Sequence, residues 1–140
     1  MASGFRDYTP DVIKRLDAAA ARAMKAVLMM TEGEAKKNAT GGGKNLNVRT
    51  GRLRSSITHD MQGKGLSIRG RVGTPVIYGR IHELGGTITP KKGPFLIFEI
   101  DGQTVAARSV RIPARPYLRP AVTGKSAQLR SRFAQEMRKA

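Results

Sequence analysis

The stretch from Thr9 to about Lys37 constrains the fold more than any other part of the chain, because it reads as one uninterrupted amphipathic helix. Thr9 can cap free amides, Pro10 suits the first helical turn, where its missing N–H is no loss, and Asp11 favours the positive end of the helix dipole. Ile13, Leu16, Ala20, Ala23, Val27 and Met30 then recur at spacings of three and four along one face, with Lys14, Arg15, Arg22 and Lys25 on others. At 1.5 Å per residue such a helix is roughly 40 Å long. A chain of 140 residues makes one domain. So small a domain cannot easily cover so long a helix, and part of the apolar stripe is expected to meet a neighbouring subunit.

Residues 38–49 follow as a glycine-rich loop, Asn-Ala-Thr-Gly-Gly-Gly-Lys-Asn-Leu-Asn-Val-Arg, flexible in the isolated protein because it combines turn formers with almost no core material. Thr50 to Ile57 reads as a capped short helix with Leu53 and Ile57 facing inward. Ile57 to Gln62 and Leu66 to Gly73 flank Gly63-Lys64-Gly65 as a hairpin with one wet face. A second hairpin runs from Phe95 to Ile100, turns at Asp101-Gly102, and continues through Val105 towards Val110 and Ile112. Between the hairpins, Pro75 to Leu84 predicts a short helix ended by Gly85-Gly86, and Thr87 to Thr89 a short edge strand. Pro116 and Pro120 interrupt regular structure before a last helix over Lys125 to Lys139, with Leu129, Phe133 and Met137 on one side. The predicted class is α+β: an antiparallel sheet of about four strands packed with a long N-terminal helix, a short middle helix and a C-terminal helix. Residues 1–140 form a single domain, with the core over 50–122 and a basic tail over 123–140.

Lys and Arg number 26 against 10 Asp and Glu, a formal charge of +16. Charge this one-sided repels itself in the folded state and points to a polyanionic neighbour, either nucleic acid or an acidic protein face. No apolar run approaches the roughly 20 residues that span a bilayer, and Arg6, Asp7 and Asp11 leave no signal-peptide core, so a soluble, non-secreted chain with no membrane partner is expected. With no cysteine, thiolate chemistry and disulfides are excluded by inventory, and a reducing cytoplasm is the expected place of synthesis.

Catalytic readings fail one by one. Gly43-Lys44 and Gly124-Lys125-Ser126 resemble phosphate-binding loops, but Asn38 and Arg119 stand where the leading glycine belongs. His82-Glu83 begins like a zinc-protease helix, yet the second histidine position holds Gly86. His59 is the only other histidine. No serine sits in a nucleophile elbow, and paired-carboxylate chemistry has no support. The chain therefore reads as a non-enzyme without cofactor or metal. As a nucleic-acid binder it lacks stacking aromatics, so only sequence-independent contact with duplex phosphate is open to it.

Four motifs in order carry a resemblance: Thr50-Gly51-Arg52-Leu53-Arg54-Ser55-Ser56-Ile57; Val72-Gly73-Thr74; Tyr78 with Ile81-His82-Glu83-Leu84-Gly85-Gly86; and Ile112-Pro113-Ala114-Arg115-Pro116-Tyr117-Leu118. Together, over about Thr50 to Val122, they resemble the tail-completion family of long-tailed bacteriophages, also labelled neck, minor tail or virion morphogenesis proteins. The resemblance implies a virion subunit made in the host cytoplasm, which joins a ring of its own kind, by analogy a hexamer, between head-closure or connector proteins and the tail terminator or tail tube. Double-stranded DNA passing through the lumen would account for the charge. Tail terminator and free non-specific DNA-binding protein are the alternatives. Pro113 and Pro116 stiffen the chain leaving the sheet, which would present Arg115 and Tyr117 at low entropic cost as contact residues. Arg119, Lys44 and the basic Arg130, Arg132 and Arg138 are the other candidate interface residues.

Overall fold

The structure is a computed structural model of the chain and describes residues 4–40 and 51–140. Its spine is α1, Thr9–Asn38, 30 residues or roughly 45 Å. Thr9 is already inside the helix and does not cap it. The carboxylate of Asp7 accepts the Thr9 N–H at 2.9 Å instead, and hydrogen bonds from Thr9 hold that carboxyl below its ordinary range.

Around α1 pack the short helix α2 (Arg52–Ser56), the strands β1 (Thr58–Gln62) and β2 (Arg69–Gly73), and near the end of the chain α4 (Arg119–Thr123) and α5 (Ser126–Met137). The face of α1 that does this is Ala19, Ala20, Ala23, Leu28, Thr31 and Ala35, with Ala39 just beyond. Alanines let neighbouring backbones come close. The Thr31 hydroxyl, buried among them, donates to the Val27 carbonyl at 2.9 Å. Of the predicted stripe, Ala20 and Ala23 are buried, whereas Ile13, Leu16 and Met30 are exposed. Periodicity finds an apolar face, but small residues next to it decide where partners can approach.

The core proper lies at the C-terminal end of α1, where Ala35 and Ala39 meet Leu53, Ile57, Tyr117 and Ala121. Leu53 and Ile57 point inward as expected.

Among the described residues the strands form three separate antiparallel ladders of two. In the first, Thr58 to Gln62 pairs with Gly73 to Arg69. The strand partner begins at Arg69 because a 3-10 turn, Gly65–Ser67, occupies the connection and leaves Leu66 in solvent. From Ile68 the alternation holds, with Ile68, Gly70 and Val72 half-buried and Arg69 and Arg71 exposed.

After β2, Thr74 accepts the Val76 N–H on its hydroxyl at 3.1 Å, and the middle helix α3 begins only at Gly79, running Gly79–Leu84. Gly85 ends it at φ 69. β3 (Gly86–Ile88) pairs with β6 (Val110–Ile112), while β4 (Leu96–Ile100) and β5 (Gln103–Ala107) form a hairpin of their own. Asp101 and Gly102 turn it with positive φ at both positions, 51 and 79, as a type I′ turn requires. The expected continuation into Val110 and Ile112 breaks at Arg108-Ser109, which frees those residues to pair with β3. α4 is an addition: Pro120 lies in its first turn, a position that tolerates proline, so the second proline starts a helix instead of interrupting one.

β2 touches α1 at Gly70, where a Cβ would stand 2.5 Å from Leu28 Cδ2. Leu28 is itself buried and has little room to turn. Gly70→Val is expected to cost about 2 kcal/mol through overpacking. Urea unfolding of Gly70→Val, Leu28→Ala and the double variant tests the contact: the double variant should lose less than the sum of the two. Strict additivity would show that the helix and strand do not meet there.

Candidate assembly surface

The last turn of α3 and the first of α4 are joined by one carboxylate. Glu83 accepts the N–H groups of Tyr117 at 2.8 Å and Leu118 at 2.9 Å on Oε2, and that of Arg119 at 2.9 Å on Oε1. These amides open a helix and have no intrahelical partner. The neighbouring His82 carbonyl takes the Arg115 N–H at 2.8 Å. His82 and Glu83 are therefore fold-making groups. Burial, and then the charge of Arg115, pushes His82 below its ordinary value, so it is neutral at pH 7, packed edge-to-face on Tyr78 at 5.9 Å. His59 binds the Glu32 carboxylate through Nδ1, and Lys36 lies 2.6 Å from the same group. These two contacts, Lys36 first, depress the Glu32 pKa. Among the described residues no three His, Asp or Glu side chains gather as a metal site.

Tyr117 corrects the sequence-based expectation. It is 1% exposed, its hydroxyl donates to the Gly79 carbonyl at 3.0 Å, and its own carbonyl accepts from Asn38 Nδ2 at 3.2 Å. The side chain enters the core instead of facing a partner, and there it ties α1, α3 and α4 together. Arg115 is half-buried beside it, and Arg119 keeps an exposed side chain while its amide is held by Glu83.

The basic residues of α5 do not form one patch. Arg130 and Arg132, two positions apart at 3.6 residues per turn, lie on roughly opposite sides of the helix. Arg132 pairs with Glu136 at 3.2 Å, as does Lys139, while Arg130 and Arg138 are exposed. Arg132 lines a shallow groove of about 650 Å³ between α1 and α5, with Arg22, Lys25, Met29 and Met30 on the α1 side. Lys44 and residues 41–49 of the predicted flexible loop lie outside the described residues, as does Thr50, the expected cap of α2.

Sequence reading missed a second surface. The β4–β5 hairpin makes its main contacts between its own strands, and Phe95, Ile97 and Ile100 are exposed on it, Ile97 at 74%. The unbroken apolar run Phe95-Leu96-Ile97-Phe98, ahead of a tight turn, is its one visible sign. No helix among the described residues is long and apolar enough to cross a membrane.

Taken together, the described surface carries apolar and basic contact features. No curated protein and no solved structure matches the chain significantly. The phage virion morphogenesis family does match it, over residues 15–139. That span takes in α1 from Arg15, the Glu83–Tyr117 junction, the hairpin and all of α5, well beyond the four motifs that carry the resemblance. The chain belongs to the phage virion morphogenesis family and is a structural protein of a bacteriophage virion.

Proposed function

We propose that this virion protein is a ring-forming tail-completion subunit, hexameric, placed at the neck or the head-proximal end of the tail between the head-closure proteins and the tail tube. The observation that carries the reading is uncovered surface. Ile13, Leu16, Met29 and Met30 stand exposed on the first helix and Phe95, Ile97 and Ile100 on the hairpin, which suits a subunit whose remaining contacts come from copies and partners. A ring lumen through which DNA passes would screen the +16 charge.

Imaging of purified virions tests this. The expected result is a closed ring of this chain at the junction of head and tail; absence from mature particles overturns it. A ring seated directly on the last tube ring, with a separate neck protein above, would assign the tail terminator role instead.

A further inference from the structure

Acidic groups are scarce in this chain, and most are committed internally. Glu32, Glu34, Asp60 and Glu136 sit in ion pairs and Glu83 binds backbone amides. Asp11, Asp17, Glu99 and Asp101 make no such contact among the described residues, and the last two stand together at the tip of the β4–β5 hairpin, beside the exposed Ile97 and Ile100. The arm that carries them, Leu96–Ile100, extends roughly 17 Å. It ends in a tip that is apolar and negative on an otherwise strongly basic molecule.

The α1–α5 groove has the opposite character. Met29, Met30 and Ala26 line it together with Arg22, Lys25 and Arg132, and Glu136 is its one acidic lining residue. Arg132 is already paired with Glu136, but Arg22 and Lys25 have no ion-pair partner among the described residues. Methionine linings accept varied apolar shapes, and unpaired basic groups beside them select for acid.

Resting on the ring reading above, we infer that the hairpin tip of one copy docks into the α1–α5 groove of the next. Ile97 covers the methionines and Glu99, on the same face of the strand, meets Arg22 and Lys25, with Ile100 and Asp101 at the turn beside them. The two surfaces differ, so the contact is head-to-tail, the type that closes into a ring when its rotation permits. It also accounts for a hairpin whose main contacts are its own and for Met29 and Met30 left bare on α1.

The chain has no cysteine of its own, so thiol cross-linking reads the contact cleanly. Ile100→Cys and Met29→Cys copies, purified, mixed at high concentration and treated with a short bismaleimide, should give a covalent heterodimer that neither variant gives alone. The double variant Ile100→Cys/Met29→Cys should give a ladder. Independently, E99K/D101K and R22E/K25E should each weaken self-association by about tenfold or more, and a mixture of the two should recover it. No heterodimer in the mixture, or equal cross-linking by Met29→Cys alone, overturns the inference. So does association that charge reversal leaves unchanged. The ring reading is judged separately by imaging: a ring in virions without the 29–100 cross-link keeps the ring and discards this contact.

Discussion

Glu83→Ala is expected to lower the stability of the isolated chain by about 3 kcal/mol and its thermal midpoint by about 10 °C. Three backbone N–H groups lose their acceptor at once. A hydrogen bond to a charged group contributes about 1.5–3 kcal/mol. The three do not add in full, because the Arg119 bond is exposed and water can replace it, whereas the bonds to Tyr117 and Leu118 are partly buried. For a domain whose whole margin is about 5–15 kcal/mol, that is a large share. Glu83→Gln keeps the shape and one carbonyl acceptor, so a loss of about half the size is expected. Urea midpoints of the two variants and the parent decide the matter. A Glu83→Ala chain within about 0.5 kcal/mol of the parent would mean that the α4 amides are already served by solvent.

This junction also shows what could be read from the chain before its structure. His82-Glu83-Leu84-Gly85-Gly86 and Arg115-Pro116-Tyr117-Leu118 stand out in the sequence as two motifs, but neither reveals that one binds the other. The bond between them spans 34 positions, and no local periodicity reports a side chain accepting from so remote a backbone. Local rules worked where the cause was local. The Asp101-Gly102 turn, the α1 start near Pro10 and the stop at Gly85 all follow from φ preferences of single residues. They failed where two solutions satisfy the same pattern. Val110 and Ile112 extend a strand equally well beside β4 or beside β3, and only tertiary packing chooses β3. On α1 the hydrophobic pattern weights Ile13 and Leu16 above alanine, yet close helix packing selects Ala19, Ala20 and Ala23. The family match from residue 15 to 139 likewise takes in both long helices, which carry too little distinctive sequence for the eye to assign. The candidate contacts were the least legible. An interface is written half on another molecule, and Tyr117, nominated as an anchor by residue type, serves the core instead.

Tyr117 should make the fold sensitive to alkali in a way a single substitution removes. Burial first, and the negative charge of Glu83 second, push its phenol up from 10.0 to about 12. In the unfolded chain the group ionises near 10, so above that pH the unfolded state is favoured by releasing a proton that the folded state still holds. The stabilisation is fully present below pH 10 and is lost as pH rises through 12. Two pH units correspond to about 3 kcal/mol, and the side chain, 1% exposed, gains little relief from solvent. Tyr117→Phe removes the titration along with the hydrogen bond to Gly79. It should therefore be weaker than the parent by about 1–2 kcal/mol at pH 8, and the gap should close and reverse between pH 10 and 12. Tyr117→Ala, which empties the site where α1, α3 and α4 meet, should cost about 3–5 kcal/mol below pH 10, and because it also lacks the phenol its deficit against the parent should shrink by about 3 kcal/mol between pH 10 and 12. Denaturant midpoints at pH 8, 10, 11 and 12 separate these outcomes. Parallel pH curves for the parent and Tyr117→Phe would assign any alkaline loss to other groups, and the phenol would then have to ionise in place without disturbing its contact with Gly79.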